Sequence, residues 1–224
     1  MTMDIEVLRV ALQAEAEPAK VEWMTSYMRN QFRFLGVTSP KIRIAAKPFL
    51  SAGGQAEPDE LIEAADHCWA QPEREFQYVG CLLLRKWVKR LEGANLADLE
   101  RYITTGSWWD TVDSLAAWSV GPLVAANPPL VEVMDQWIDH DNMWLARTAI
   151  LHQLSYKADT DADRLFAYAE RRAEDREFFI RKAIGWALRQ HARVQPDEVR
   201  SFVAANEDTL SGLSKREALK HIGP

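Results

Sequence analysis

Cysteine is nearly absent: Cys68 and Cys81 are the two in 224 residues, too few for a disulfide framework and not spaced as a Cys-x-x-Cys pair. No run approaches the roughly 18 apolar residues that a membrane span requires. The opening residues Met1-Thr2-Met3-Asp4-Ile5-Glu6 carry neither the basic nor the apolar block of a signal peptide. These absences predict a chain of the reducing cytoplasm with no membrane partner. Strand signals are also missing: there is no alternating β-branched run and no Asn-Gly or Asp-Gly hairpin. No Ser or Cys nucleophile motif and no phosphate-binding glycine loop is present. His67, His140, His152, His191 and His221 are scattered without metal-ligand spacing, and His67-Cys68 with Cys81 would meet at a zinc ion only by accident of folding. Neither a metal nor a nucleotide cofactor is expected.

Cations are outnumbered, 27 Lys and Arg against 33 Asp and Glu, for a net charge of −6. That argues mildly against nucleic acid, but the distribution is uneven. Residues 91–142 hold nine acids and only Arg101, whereas residues 178–193 hold Arg181, Lys182, Arg189 and Arg193 and no acid. A local basic stripe on an acidic chain is compatible with a nucleic-acid groove without proving one.

What the chain does have is helix after short amphipathic helix. Breaks are expected at Pro18, Gly36–Pro40, Gly53-Gly54, Pro72, Gly93–Asn95, Gly106, Gly121-Pro122, Asn127–Pro129, Asp139–Asn142, Asp159–Asp161, Pro196 and Gly212. They leave about a dozen helices in one domain over 1–224. A repeat underlies them: Arg147-Thr148-Ala149-Ile150 recurs 34 residues later as Arg181-Lys182-Ala183-Ile184, and 34 residues earlier stands Asp113. The expected fold is all-α, an α-solenoid of HEAT-like helical repeats, with Asp113, Arg147 and Arg181 in a row on a concave groove wall.

The run Ser107-Trp108-Trp109-Asp110-Thr111-Val112-Asp113 reads as a helix opened by a Ser107 N-cap. Trp109 and Asp113, four apart, then share a face. An indole beside a carboxylate suits a site that grips an organic cation or stabilises positive charge; the plain alternative is one core tryptophan and one solvated aspartate. Lys182, Trp186, Arg189 and Arg193 also share a face, basic with an aromatic in its middle. It fits phosphate and sugar, unless Trp186 packs on a neighbouring repeat while the cations reach water.

At this point a resemblance is evident. Ser107–Ser114 resembles the central motif of the AlkD-type DNA alkylation-repair glycosylases. So do Tyr27-Met28-Arg29-Asn30, Phe34-Leu35-Gly36-Val37, Asp141–Arg147, Phe178–Trp186 and Leu213–Ala218, in order and at similar spacing. The resemblance implies a HEAT-like superhelix that removes N3- and N7-alkylated purines, such as 3-methyladenine and 7-methylguanine, from duplex DNA, with the lesion kept in the helix rather than flipped. It implies Asp113 as the carboxylate that stabilises an oxocarbenium-like sugar and places water, Trp109 and Trp186 as the cradle of the lesion, and Arg147 as a clamp on backbone phosphate. Further DNA contacts are expected at Tyr27, Thr38, Ser39, Arg43, Arg181, Lys182, Arg189 and Lys215. The expected activity is that of a monofunctional glycosylase, because no lysine stands in the motif as a Schiff-base nucleophile. The chain is expected to act as a monomer. The rival from another class is a non-catalytic solenoid that binds DNA structures or a protein partner through its groove.

Overall fold

The computed structural model describes residues 3–223, and among them the chain is all helical, with one isolated bridge between Arg33 and Glu73 and no strand. The chain forms two compact units, Met1–Asp98 and Leu99–Pro224. The first contains α1 (Ile5–Ala14), α2 (Pro18–Tyr27), α3 (Ser39–Ala45), α4 (Lys47–Ala52), α5 (Pro58–Trp69) and α6 (Arg74–Trp87); α7 (Leu96–Thr104) crosses the boundary. The second contains α8 (Trp109–Leu115), α9 (Gly121–Ala126), α10 (Val131–Trp137), α11 (Met143–Leu151), α12 (Ala162–Arg171), α13 (Phe178–His191), α14 (Pro196–Ala205) and α15 (Gly212–Ala218).

Local chemistry explains most of the starts. Proline occupies the first turn of α2, α3, α4, α5 and α14, where its missing N–H has no intrahelical partner to lose. Asp4, Asn142, Asp161 and Ser211 cap α1, α11, α12 and α15 by accepting backbone N–H groups, and Glu57 with Glu60 forms a capping box on α5.

The architecture is a helical-repeat solenoid, and its repeat is written in its hydrogen bonds. Polar ties recur between residues about one repeat apart: Tyr156 donates to the Gly121 carbonyl over 35 positions, Tyr168 to Asp135 over 33, Arg172 to the Ile138 carbonyl over 34, and Ser214 to the Arg181 carbonyl over 33. In the first unit the Trp87 indole donates to the Leu50 carbonyl over 37 positions. Between these ties lie buried apolar faces, such as Leu83 and Leu84 on α6, Val112 and Leu115 on α8, and Ile180 and Leu188 on α13.

Two charged side chains lie deep in the first unit. Glu75 is fully buried and accepts the backbone N–H groups of Leu35, Gly36 and Val37, which pins the Phe34–Val37 loop. Burial pushes the Glu75 carboxyl above its usual range, against the pull of those donors. Arg74 beside it lies 3.7 Å from the Phe32 ring centroid.

One expected break is absent. Gly121-Pro122 does not end a helix: α8 runs through a π-helical turn, Ala116–Val120, directly into α9. Pro122 falls in the first turn after the π segment, where its missing donor is tolerated. Glycine at 121 is required because a Cβ there would lie 2.1 Å from the His152 carbonyl oxygen.

Candidate active site

The N-terminus of α8 is built differently from the N-cap expected of Ser107. The Ser107 hydroxyl turns back and donates to the Ile103 carbonyl at 2.7 Å, which leaves extended Trp108 at the cap position and Trp109 as the first helical residue. Asp110 accepts the N–H of Thr111. The Trp108 ring packs against Trp144 and Phe179, with centroids 5.9 and 5.2 Å away, and those two rings are 5.1 Å apart. The trio brings together the N-terminal turns of α8, α11 and α13.

Below it sits the ion pair that organises the site. Arg147 on α11 donates to both oxygens of Asp113, Nε to Oδ1 at 2.7 Å and Nη2 to Oδ2 at 2.8 Å. Its remaining Nη1 donates to the Phe179 carbonyl, and the guanidinium lies 5.8 Å from the Phe179 ring centroid. A planar fork on a carboxylate fixes direction as well as distance. Arg147 is 3% exposed and Asp113 13%. Burial pushes the Asp113 carboxyl up from its ordinary value, while the Arg147 bonds pull it back toward ionisation.

Asp113 opens onto a cleft of about 250 Å³ that Ser114, Ala117, Trp118, Leu154, Trp186 and Gln190 complete. Asp113 and Trp186 are therefore brought together as expected. Trp109 is half-buried, one turn before Asp113, and does not line this cleft. Trp118, Leu154 and Gln190 escaped the sequence reading. Ala117 and Trp118 belong to the π turn, which carries no motif of its own.

A family profile described as DNA alkylation repair enzyme matches residues 8–222. The chain belongs to this family. Among solved structures, a protein described as a predicted DNA alkylation repair enzyme from Enterococcus faecalis is similar at 29% identity and a TM-score of 0.86, over 93% of this chain and 97% of that one. AlkD2 from Streptococcus mutans shares the fold at 14% identity and a TM-score of 0.65, over 91% of this chain and all of that one. The Streptococcus mutans UA159 protein smu.31 does so at 13% and 0.63, over 91% of this chain and 99% of that one. No curated protein matches.

Arg147, expected to clamp phosphate, is 3% exposed and tied down inside the protein. All three guanidinium nitrogens are engaged inside the protein, so Arg147 holds Asp113 instead of presenting a free cation. The basic stripe on α13 is partly committed, with Arg193 exposed just past the end of the helix. Glu217 of α15 binds Lys182 at 2.6 Å with one oxygen and Arg189 with the other. The Lys182 bond holds the Glu217 carboxyl below its usual range. Glycine at 185 permits this approach, because a Cβ there would lie 2.5 Å from Glu217 Cβ and 2.7 Å from the Ser214 carbonyl. Arg181 donates to the Arg176 carbonyl, and Lys215 binds the carbonyl and carboxylate of Glu207 at 2.8 and 2.6 Å.

In the first unit Tyr27 is exposed at the end of α2. Thr38 occupies the cap position of α3 without a side-chain cap bond, and Ser39 and Arg43 are exposed on that helix. Among the described residues no cluster of three or more His, Cys, Asp or Glu side chains is placed to hold a metal ion.

Proposed function

We propose that this DNA alkylation-repair protein is a monofunctional glycosylase, acting as a monomer without a cofactor through one HEAT-like domain that comprises both units. It hydrolyses the N-glycosidic bond of cationic N3- and N7-alkylated purines, 3-methyladenine and 7-methylguanine among them, in duplex DNA, and leaves an abasic site. The observation that carries this reading is a carboxylate, Asp113, aimed into a cleft beside an indole and held there by a buried arginine fork.

Alkylation at N3 or N7 makes the purine a cation, so it departs with the glycosidic electron pair as a neutral base and needs no general acid. Positive charge then develops on the sugar. Asp113 stabilises that charge and takes the proton of the water whose oxygen bonds to C1′. Trp186 and Trp109 offer π faces to the cationic nucleotide, which stays in the duplex. Arg147 is a positioning residue: its fork aims the carboxylate and favours its ionised state. The cleft wall carries no lysine, which supports hydrolysis over lyase chemistry. Tyr27, Thr38, Ser39, Arg43, Arg181 and Lys215 meet the DNA backbone, and Lys182 and Arg189 join them by exchanging Glu217 for phosphate. Such work on DNA fits a cytoplasmic protein.

The test is release of free methylated purines from duplex DNA treated with a methylating agent, with Asp113→Asn in parallel. The wild type should release them and the variant should be slower by about 10²- to 10³-fold, the usual cost of removing one transition-state electrostatic partner. Wild-type protein that binds the DNA but releases nothing would leave a non-catalytic solenoid instead.

A further inference from the structure

A stacked, exposed aromatic pair lies in the first unit, far from Asp113 in sequence, and takes no part in breaking the glycosidic bond, although Tyr27 is among the DNA contacts proposed above. Trp23 and Tyr27, one turn apart on α2, stack with ring centroids 5.5 Å apart and planes 17° off parallel. Trp23 is 64% exposed and Tyr27 59%, and no residue of α2 is fully buried. Tryptophan is costly to leave in water, so a stacked, solvent-facing indole–phenol pair marks a contact surface for something flat.

The charge around it says what kind of surface. From Trp23 to Ala56 the chain carries Arg29, Arg33, Lys41, Arg43 and Lys47 and not one acid. Lys41 is committed to Glu15 and Glu17, at 3.1 and 3.2 Å, but Arg29, Arg33, Arg43 and Lys47 are exposed. Glu17 is occupied by Lys20 and Lys41, which leaves Glu22 as the exposed acid on α2. Two residues past Tyr27 the backbone turns left-handed at Arg29 (φ 54°) and Asn30 (φ 58°), closed by Arg29 N–H to the Ser26 carbonyl and Asn30 N–H to that of Thr25. This left-handed turn closes α2 and puts the exposed Arg29 two residues after Tyr27 in the chain.

We propose that the Trp23–Tyr27 stack is a platform for a nucleobase that lies outside the duplex stack, with Arg29 and the acid-free segment after it meeting the flanking phosphates. A base presents a π face whatever its identity, and its phosphates suit the cations; an exposed aromatic pair without those cations would suit a protein as well. The inference rests on the reading of this protein as one that acts on DNA, and it gives the first unit a base contact beyond the backbone contacts proposed there.

The test is equilibrium binding, by fluorescence anisotropy, of two undamaged dye-labelled duplexes, one fully paired and one with a single extrahelical thymine. Wild type should prefer the bulged duplex by about fivefold or more, the lower bound for stacking one base on an aromatic side chain. Trp23→Ala should bring that ratio to about one, and Trp23→Phe should keep most of it; a 64% exposed side chain is not part of the core, so both variants should fold. Equal wild-type affinity for the two duplexes, or a ratio that survives Trp23→Ala, overturns the platform while the DNA reading stands. Binding to neither duplex overturns both.

Discussion

Removing the arginine behind the carboxylate is the most informative perturbation. In Arg147→Leu, Asp113 keeps its buried position and loses both donors of the fork. Leaving one member of a buried pair without its partner costs about 3–5 kcal/mol. A carboxyl has an escape that a guanidinium lacks, since it can take up a proton. From an unfolded-state value of about 3.9, protonating it costs about 1.4 kcal/mol per pH unit, or roughly 4 kcal/mol at pH 7 and roughly 1.5 at pH 5. The vacated Phe179 carbonyl adds an offset of about 1 kcal/mol that does not depend on pH. The sign follows from proton counting. The variant's folded-state pKa lies above the unfolded value, so between the two the native state binds more protons and stability falls as pH rises. Urea unfolding of both proteins at pH 5, 6 and 7 reads this directly: the destabilisation should grow with pH, by at most about 1.4 kcal/mol per unit, because losing the fork raises the carboxyl above its already raised wild-type position. The acidic limb of the kcat/KM profile for base release should move to higher pH in the same variant, because a larger share of Asp113 is then protonated. A destabilisation that stays constant from pH 5 to 7 would mean that the fork does not hold the carboxylate, and the positioning role would fall.

Two further outcomes follow from other parts of the fold. His152 is 2% exposed and burial depresses its pKa to about 4, so wild-type stability should drop by about 3 kcal/mol as pH falls from 6.5 toward 4, where the unfolded chain is protonated and the native one is not; His152→Gln should flatten that dependence, and an unchanged slope would contradict it. Gly121→Ala should cost about 3 kcal/mol, at the upper end of overpacking, because the new methyl meets a backbone carbonyl that cannot swing aside; a shift in urea midpoint equivalent to less than 1 kcal/mol would show that the α9 turn yields.

How far the sequence foretold this structure depended on whether the governing interaction is local or repeated. The 34-residue echo of Arg147 in Arg181 led to the solenoid, since repetition survives any uncertainty about single helix ends, and it also put Asp113 beside Arg147. The face shared by Trp109 and Asp113 followed from helix geometry alone. The cap at Ser107 was misjudged because its hydroxyl has a competing acceptor, the Ile103 carbonyl one turn back, that capping rules do not weigh. Lys182 and Arg189 looked free because their partner, Glu217, lies 28 residues or more away on a helix brought close by a glycine. Nothing in the sequence singles out Glu75, because the loop N–H groups that hold it lie about 40 positions earlier. Helix spacing and the repeat thus singled out the candidate site, but only packing revealed which charges are already spoken for.

The π turn at Ala116–Val120 makes chain length itself a determinant of the site. Each residue in a helix advances its side chains by about 100° around the axis, and a π turn absorbs one residue beyond α-helical count. Upstream of it stand Trp109 and Asp113; downstream Leu123 and Val124 are locked into the core. Losing a single residue from this turn, even one of its two alanines, would close it to the α-helical count, keep Asp113 near its register with Leu123 and Val124, and displace Ala117 and Trp118 from the cleft wall they form. Among relatives of this protein, a one-residue gap at this turn therefore bears on the shape of the cleft even where Asp113 is kept, and counting residues between the tryptophan–aspartate pair and the glycine–proline pair adds to what reading them tells.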